Sequence, residues 1–279
     1  MKFTLKTAAG HDYEAYAYTG GKAFDASKPT LVFIHGVLND HSVWILQTRY
    51  LAHHGFNVLA VDLPGHGRSE GDAPKSVEEA AQFVEALLNA AGVKHAGLIG
   101  HSWGSLIALE TAARLKDRIT HIALVGTAFP MKVSPALIEA SLNEPMKALQ
   151  MVNVFSRATL SAPPSALGPG TWVYGASMAL GRRVLASNTQ VNIFHRGFVA
   201  CDSYANGLEA MAAVTCPVLF LLGETDQMTP PRAAKSLIDQ AKAHDKTFTV
   251  AKVPMGHHQM SESPEETLDA LKAFLGVNA

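Results

Sequence analysis

Leu98-Ile99-Gly100-His101-Ser102-Trp103-Gly104-Ser105-Leu106-Ile107 decides how the rest of the chain reads. The apolar run at 96–99 has the look of a buried strand, and 105–115 carries the Ala/Leu-rich pattern of a helix. Between them, Gly-x-Ser-x-Gly reads as a sharp strand-to-helix turn. A Cβ at Gly100 or Gly104 would collide with the neighbouring element, so the glycines permit the tight turn. Such a turn leaves Ser102 Oγ exposed at the strand end, with the N–H groups of the helix start around it.

Working outward, the same alternation recurs. Residues 2–6 and 13–18 alternate apolar and polar about a turn, which predicts an antiparallel hairpin. Continuous apolar runs at 30–34 and 57–61 read as strands covered on both faces, with a helix near 43–54 between them. Ser76-Val77-Glu78-Glu79 is a capping box opening a helix to about Ala90, and 119–125 is a further strand. The rhythm stops at Thr127. From there to about Met211 the pattern is helical and irregular. Candidate helices lie at 135–142, 146–159, 172–180 and 188–204, broken by Pro163-Pro164 and Gly168-Pro169-Gly170. A strand at 216–222, a helix after Pro231 and a strand at 247–253 then resume it. The last helix opens with Ser263 as N-cap and Pro264 at its first position. This order predicts an α/β fold: a mostly parallel central sheet with helices on both faces. Residues 1–126 and 214–279 form that core, and 127–213 read as an inserted α-helical cap, a lid over the strand ends.

Composition excludes several classes. The 279 residues are 48% hydrophobic and 17% charged, as in ordinary soluble globular chains. A formal net charge of −1 steers toward neither nucleic acid nor an anionic membrane. No run of 18 apolar residues occurs, so no membrane span is expected. The alternating N-terminus lacks a signal-peptide core. Cys201 and Cys216 show no metal-type spacing and read as reduced, buried thiols of a cytoplasmic protein. The 13 histidines show no His-Glu-x-x-His or comparable spacing, and no Walker or dinucleotide glycine pattern appears. Neither a metal nor another cofactor is expected.

A serine hydroxyl is a poor nucleophile at neutral pH, so Ser102 needs a base, and the base needs an orienting carboxylate. Two loops supply candidates: Gly223-Glu224-Thr225-Asp226 and Pro254-Met255-Gly256-His257-His258. Loops that follow parallel strands open on one edge of the sheet, where the serine turn also lies. The expected triad is Ser102, Asp226 and His257, with His257 Nε2 toward Ser102 and Nδ1–H toward Asp226. Glu224 is the alternative orienter and His258 the alternative base.

His35-Gly36, Asp62-Leu63-Pro64-Gly65-His66-Gly67-Arg68-Ser69, Gly100-His101-Ser102-Trp103-Gly104, Gly223-Glu224-Thr225-Asp226 and Gly256-His257 with Ser263-Pro264-Glu265 together resemble α/β-hydrolase fold enzymes, of the serine carboxylesterase type with a helical cap. The chain order Ser, Asp, His is that family's. In similar enzymes the spacing from histidine to Glu262 and Pro264 favours His257 as base. The resemblance implies an oxyanion hole made by the backbone N–H groups of Val37 and Trp103, worth roughly 3–4 kcal/mol each. It leaves those two side chains free to shape the acyl pocket. His101 is expected to pack behind the turn, with His35, Gly36, Gly100 and Gly104 as support. Asp62, His66 and Arg68 are expected to hold their own loop together, and His53 and His54, near a helix C-terminus, to be solvated. Ser102 stands where haloalkane dehalogenases and epoxide hydrolases of this fold carry aspartate, which argues against both. The missing His-Gly-Gly-Gly form counts against esters of bulky tertiary alcohols. In the cap, Trp172, Met178, Phe194, His195 and Phe198 are candidate pocket residues, or equally the cap's own small core.

The expected function is hydrolysis of a carboxylic ester, thioester or lactone with a small to medium, mainly apolar acyl group, through an acyl-enzyme. A C–C bond hydrolase, perhydrolase, acyltransferase or hydroxynitrile lyase on the same triad is the alternative. The loop Val37-Leu38-Asn39-Asp40, in place of a Gly-Pro-Gly type, lowers the C–C option. A non-catalytic ligand-binding protein is the reading from a different class; such relatives often lose a triad member, and none is lost here. The expected partner is a small ester-like molecule, with no nucleic acid, and nothing in the sequence sets the oligomeric state.

Overall fold

Alternate burial builds the sheet from its edge inward. The computed structural model describes residues 1–7, 10–25, 27–158 and 173–277. In it β1 (Lys2–Lys6), buried at every second residue, pairs antiparallel with β2 (Asp12–Tyr18) as the expected hairpin. Every residue of β3 (Thr30–Ile34) is buried, because its two side-chain sets face two different layers. Val32 and Ile34 enter one apolar cluster, Leu31 and Phe33 another. A 3-10 turn (His41–Trp44) then leads into α1 (Ile45–His53), β4 (Asn57–Val61), α2 (Val77–Ala90), β5 (Ala96–His101), α3 (Trp103–Leu115) and β6 (Ile119–Val125). The helical stretch follows as α4 (Pro135–Asn143), α5 (Pro145–Ser156), α6 (Val173–Ala186), α7 (Ile193–Ser203) and α8 (Gly207–Ala213). Next come β7 (Val218–Gly223), α9 (Lys235–Ala243), β8 (Phe248–Val253), α10 (Gln259–Glu262) and α11 (Pro264–Leu275). The strands form one eight-stranded sheet in the order β1-β2-β4-β3-β5-β6-β7-β8, parallel from β4 through β8. Helices α2, α3, α8 and α9 cover one face, α1 and α11 the other.

Several local expectations shift for identifiable reasons. Ser76 Oγ accepts the Glu79 N–H (3.2 Å), but the Glu79 carboxylate accepts from Lys75 N–H (2.7 Å) rather than from Ser76, so the box closes one residue early. Ser263 does not cap with its oxygen; its hydroxyl donates to Glu266 (2.6 Å). Helix α6 runs through Gly181 to Ala186 because that glycine serves close packing, not termination: a Cβ there would lie 2.6 Å from Leu149 Cδ1 on α5. Helix α7 starts at Ile193, not 188, since Asn192 Oδ1 caps it by accepting the His195 N–H (3.0 Å).

Helices α4 to α7 own a cluster that includes Leu137, Ala148, Leu149, Val184, Ile193 and Phe194, and it leans on Leu38 and Ala73 of the sheet-end loops. Polar ties add to this contact. Arg183 Nη2 is 2.6 Å from Asp40 Oδ2, Ser187 Oγ accepts from Gly67 N–H (2.9 Å), and Arg196 Nη1 donates to Ala73 O (3.0 Å). Helix α8 lies inside the stretch 127–213, yet Ala210 and Met211 pack with α2 and α3. Buried Glu110 of α3 accepts from Tyr204 Oη (2.9 Å) and Asn206 Nδ2 (2.8 Å), fastening that junction to the sheet layer.

Candidate active site

The turn after β5 has the geometry its glycines foretell. A Cβ on Gly100 would overlap the Gly104 carbonyl, and one on Gly104 would lie 2.7 Å from His35 O. Ser102 sits at φ 53°, ψ −119°, a conformation an L-residue adopts only under constraint. The constraint is hydrogen-bonded: Ser102 N–H donates to Val125 O (2.8 Å), and the Ser102 carbonyl accepts from Ser105 N–H (2.8 Å) and Ser105 Oγ (2.5 Å). Ser105 Oγ also lies 2.8 Å from Thr127 Oγ1. The sequence reading overlooked Ser105 and Thr127 in this role.

The loop after β3 approaches the same spot. A Cβ on Gly36 would be 3.0 Å from His101 Nδ1 and 3.2 Å from Ser102 Cβ, so only glycine admits this closeness. His35 is buried; its Nδ1 donates to Gly36 O (2.8 Å) and its Nε2 accepts Leu63 N–H (3.1 Å), pinning this loop to the one after β4. Asn39 N–H closes a turn onto Gly36 O (3.3 Å) with Leu38 at φ 54°. Among the described residues no hydrogen bond uses the N–H of Val37 or of Trp103. The Val37 side chain lines the cavity beside Ser102. That of Trp103 does not: it is buried in the cluster under α2 and α3, which corrects the expectation that it shapes the pocket.

Buried Asp226 and His257 come together. Asp226 Oδ2 is 2.8 Å from His257 Nδ1 and from Thr229 Oγ1, while Oδ1 accepts the N–H groups of Met228 and Thr229 (2.8 Å each). Burial alone would raise the Asp226 pKa. The charge and hydrogen bond of His257 and the bonds from Thr229 outweigh it and hold the carboxyl well below the usual carboxylate range. Thr229, 3.0 Å from His257 Nδ1, was not foreseen, although Asp-x-x-Thr is the spacing of a side chain bonding to backbone just ahead of it. The backbone N–H of His257 donates to Ser156 O (2.6 Å), so the end of α5 fixes the histidine loop. Glu224 is exposed. His258 is buried on the cavity wall without a carboxylate bonded to its ring among the described residues.

Ser102, His101, His257 and His258 line a cavity of about 260 Å³ whose remaining wall is mainly apolar and comes from the loop after β3, the start of α1, α5, α6 and α7, with Met228, Met260 and Ser261. Of the proposed cap residues, Phe194 and Phe198 line it. Met178 packs in the helical cluster and takes a bond from Asn153 Nδ2 (3.1 Å). His195 faces a separate, open groove with Lys132 and Asp202, and Trp172 lies outside the described residues. Asp40, His41 and Asp62 gather three potential metal ligands. Each is already paired: Asp62 with His41 Nδ1 (2.7 Å) and Arg68 N–H (2.9 Å), Asp40 with Ser42 and Arg183. His53 and His54 are exposed, as expected.

His101 donates through Nε2 to His257 O (2.7 Å), and His66 through Nδ1 to Pro64 O (3.0 Å). Burial first, and then the neighbouring rings His257 and His35 respectively, push each pKa down to about 3. Both folded values lie below the unfolded one, so this stability is complete above about pH 6.5 and is lost as pH falls toward 3. At pH 5.5 each neutral ring costs about 1.4 kcal/mol relative to neutral pH. Thermal unfolding is therefore expected roughly 5–10 °C lower at pH 5.5 than at pH 7.5. Equal midpoints at the two pH values would refute the buried neutral state of these rings.

The sequence profile described as alpha/beta hydrolase fold matches residues 29–264. The chain is 35% identical over 112 residues to the dihydrolipoyllysine-residue acetyltransferase component of the acetoin cleaving system of Cupriavidus necator, a match covering 40% of this chain and 28% of that protein. It is 26% identical over 259 residues to 2-(acetamidomethylene)succinate hydrolase of Mesorhizobium japonicum, covering 89% of this chain and 88% of that one. Its structure superposes on the esterase EaEST of Exiguobacterium antarcticum with a TM-score of 0.79 at 16% identity, over 99% of this chain and 100% of the other.

Proposed function

The chain belongs to the α/β-hydrolase fold family of enzymes, and on that premise we propose that it is a serine hydrolase working through Ser102, His257 and Asp226. The pairing that carries this reading is His257 Nδ1 against the buried, hydrogen-bonded Asp226 carboxylate (2.8 Å), on a ring that shares a cavity with Ser102. A base needs an orienter to hold its tautomer, and Asp226 has the ionised state and the geometry for it. Catalytic serine–imidazole bonds are often long until substrate is bound.

In the reaction Ser102 Oγ adds to the ester carbonyl as His257 Nε2 takes its proton. The N–H groups of Val37 and Trp103 receive the oxyanion. The imidazolium gives the proton to the leaving alcohol, producing the acyl-enzyme. Water, deprotonated by His257, then releases the acid and restores Ser102. Stretch 127–213 acts as the cap that selects the acyl group. A cavity of about 260 Å³ falls below the roughly 300–1,000 Å³ of drug-sized pockets, which supports small to medium acyl chains of an ester, thioester or lactone. Cys201 and Cys216, both free and buried, accord with a reducing compartment such as the cytoplasm. No helix among the described residues is long and apolar enough to cross a membrane.

Two measurements test the proposal together. A fluorophosphonate is expected to label Ser102 alone. Across p-nitrophenyl acetate to dodecanoate, kcat/KM is expected to peak at short chains and to fall at least tenfold by the longest. Absence of labelling, or a rise through the longest chain, overturns it.

A further inference from the structure

The cavity beside Ser102 holds a charge that an apolar acyl pocket does not need. Among the described residues lining it, Arg157 alone carries a permanent charge. It stands just past the end of α5, against the histidine loop: a Cβ on Gly256 would lie 3.1 Å from the Arg157 carbonyl carbon. Among the described residues its guanidinium meets only neutral acceptors, Ser177 Oγ at 2.5 Å from Nη2 and Ser261 Oγ at 3.4 Å from Nη1. Both serines line the same cavity, and the buried Nε has no partner among the described residues.

The carboxylate behind it is otherwise engaged. Glu262 Oε1 accepts His258 N–H (3.0 Å) and Oε2 accepts Ala158 N–H (2.8 Å). Among the described residues no carboxylate oxygen comes within 4.0 Å of a guanidinium nitrogen of Arg157. A guanidinium presents a planar fork of donors shaped for a carboxylate, and serine hydroxyls can turn from accepting to donating when an anion arrives. A cation on a cavity wall with neutral partners is under-compensated until an anion joins it. Burial lowers the Arg157 pKa while Glu262 opposes that, in line with the same imbalance.

We propose that the substrate is an ester bearing a free carboxylate, received by the Arg157 guanidinium with Ser177 and Ser261 while Ser102 faces the scissile carbonyl. This rests on the serine-hydrolase reading for the reaction and narrows its substrate class. Guanidinium and nucleophile share one small cavity, so only a few bonds separate the carboxylate from the ester.

Matched esters test it in two arms. Monoethyl adipate is compared with ethyl hexanoate for a carboxylate on the acyl side, and 4-acetoxybutanoate with butyl acetate for one on the alcohol side. In one arm the wild-type enzyme is expected to favour the charged ester in kcat/KM. Arg157→Gln should lower that preference about 10- to 100-fold, chiefly through KM, and Arg157→Lys should restore part of it. An unchanged preference in Arg157→Gln in both arms, or an equal loss on charged and neutral esters, overturns the proposal and leaves Arg157 as a brace for the histidine loop. Calorimetry with monoethyl adipate and 4-acetoxybutanoate on Ser102→Ala separates this from failure of the hydrolase reading. Binding of either that Arg157→Gln weakens at least tenfold supports the anion site even if neither ester turns over. Equal binding, or none, overturns it.

Discussion

Ser102→Ala is expected to lower kcat on p-nitrophenyl butyrate by roughly 10⁵-fold, with the thermal midpoint nearly unchanged. The two halves of that result come from different features. The hydroxyl is the one atom that forms the acyl bond in the proposed mechanism, and nothing beside it substitutes: the other serine of the turn, Ser105, has its oxygen turned to the Ser102 carbonyl and Thr127. The fold, by contrast, hardly uses it. Among the described residues Ser102 Oγ makes no hydrogen bond, and the constraints on its backbone run through its N–H and carbonyl. In the proposed mechanism residual turnover is expected from the amides of Val37 and Trp103, which would still polarise a carbonyl. Turnover within tenfold of wild type would remove Ser102 from the mechanism.

Asp226→Asn is expected to cost roughly 10⁴-fold in kcat. The replacement keeps the shape, but the Met228 and Thr229 N–H groups hold the amide oxygen at the Oδ1 position, so the NH₂ faces His257 Nδ1 and favours the tautomer whose Nε2 already carries a proton. Stability should move too. Two backbone N–H groups, the Thr229 hydroxyl and the His257 ring converge on this carboxylate. A carboxyl whose folded pKa is depressed contributes stability that is complete above its unfolded value near 4 and drains as pH falls below it. At neutral pH the variant should therefore be about 1–3 kcal/mol less stable than wild type, with the gap closing below pH 4. Retention of a tenth or more of the activity in Asp226→Asn, with loss of it in Glu224→Gln, would pass the orienting role to Glu224.

How much of this was legible follows from what each residue's role depends on. Gly100 and Gly104 were readable because a missing Cβ answers to atoms a few residues away or in the next strand. Strands β3, β4, β5 and β7 were readable because double-sided burial demands near-continuous apolar runs. Leu38 at positive φ was not, since a turn of that kind ordinarily takes glycine and here the packing of Leu38 under α4 to α7 holds it. Nor was Gly181, whose pattern reads as a helix end until Leu149 is seen against it.

By itself the sequence determined the order of the eight strands with α1, α2, α3, α9 and α11 among them, the strained serine turn and the chain order of serine, carboxylate and imidazole, because these depend on local period, backbone sterics and residue order. Only the tertiary structure decided which side chains share the cavity. It turned the Trp103 indole into the core, sent His195 to another groove and brought Arg157 to the wall beside Ser102. Those directions depend on how α3 and the helices α4 to α7 are rotated about their axes against the sheet, and helical periodicity leaves that rotation open.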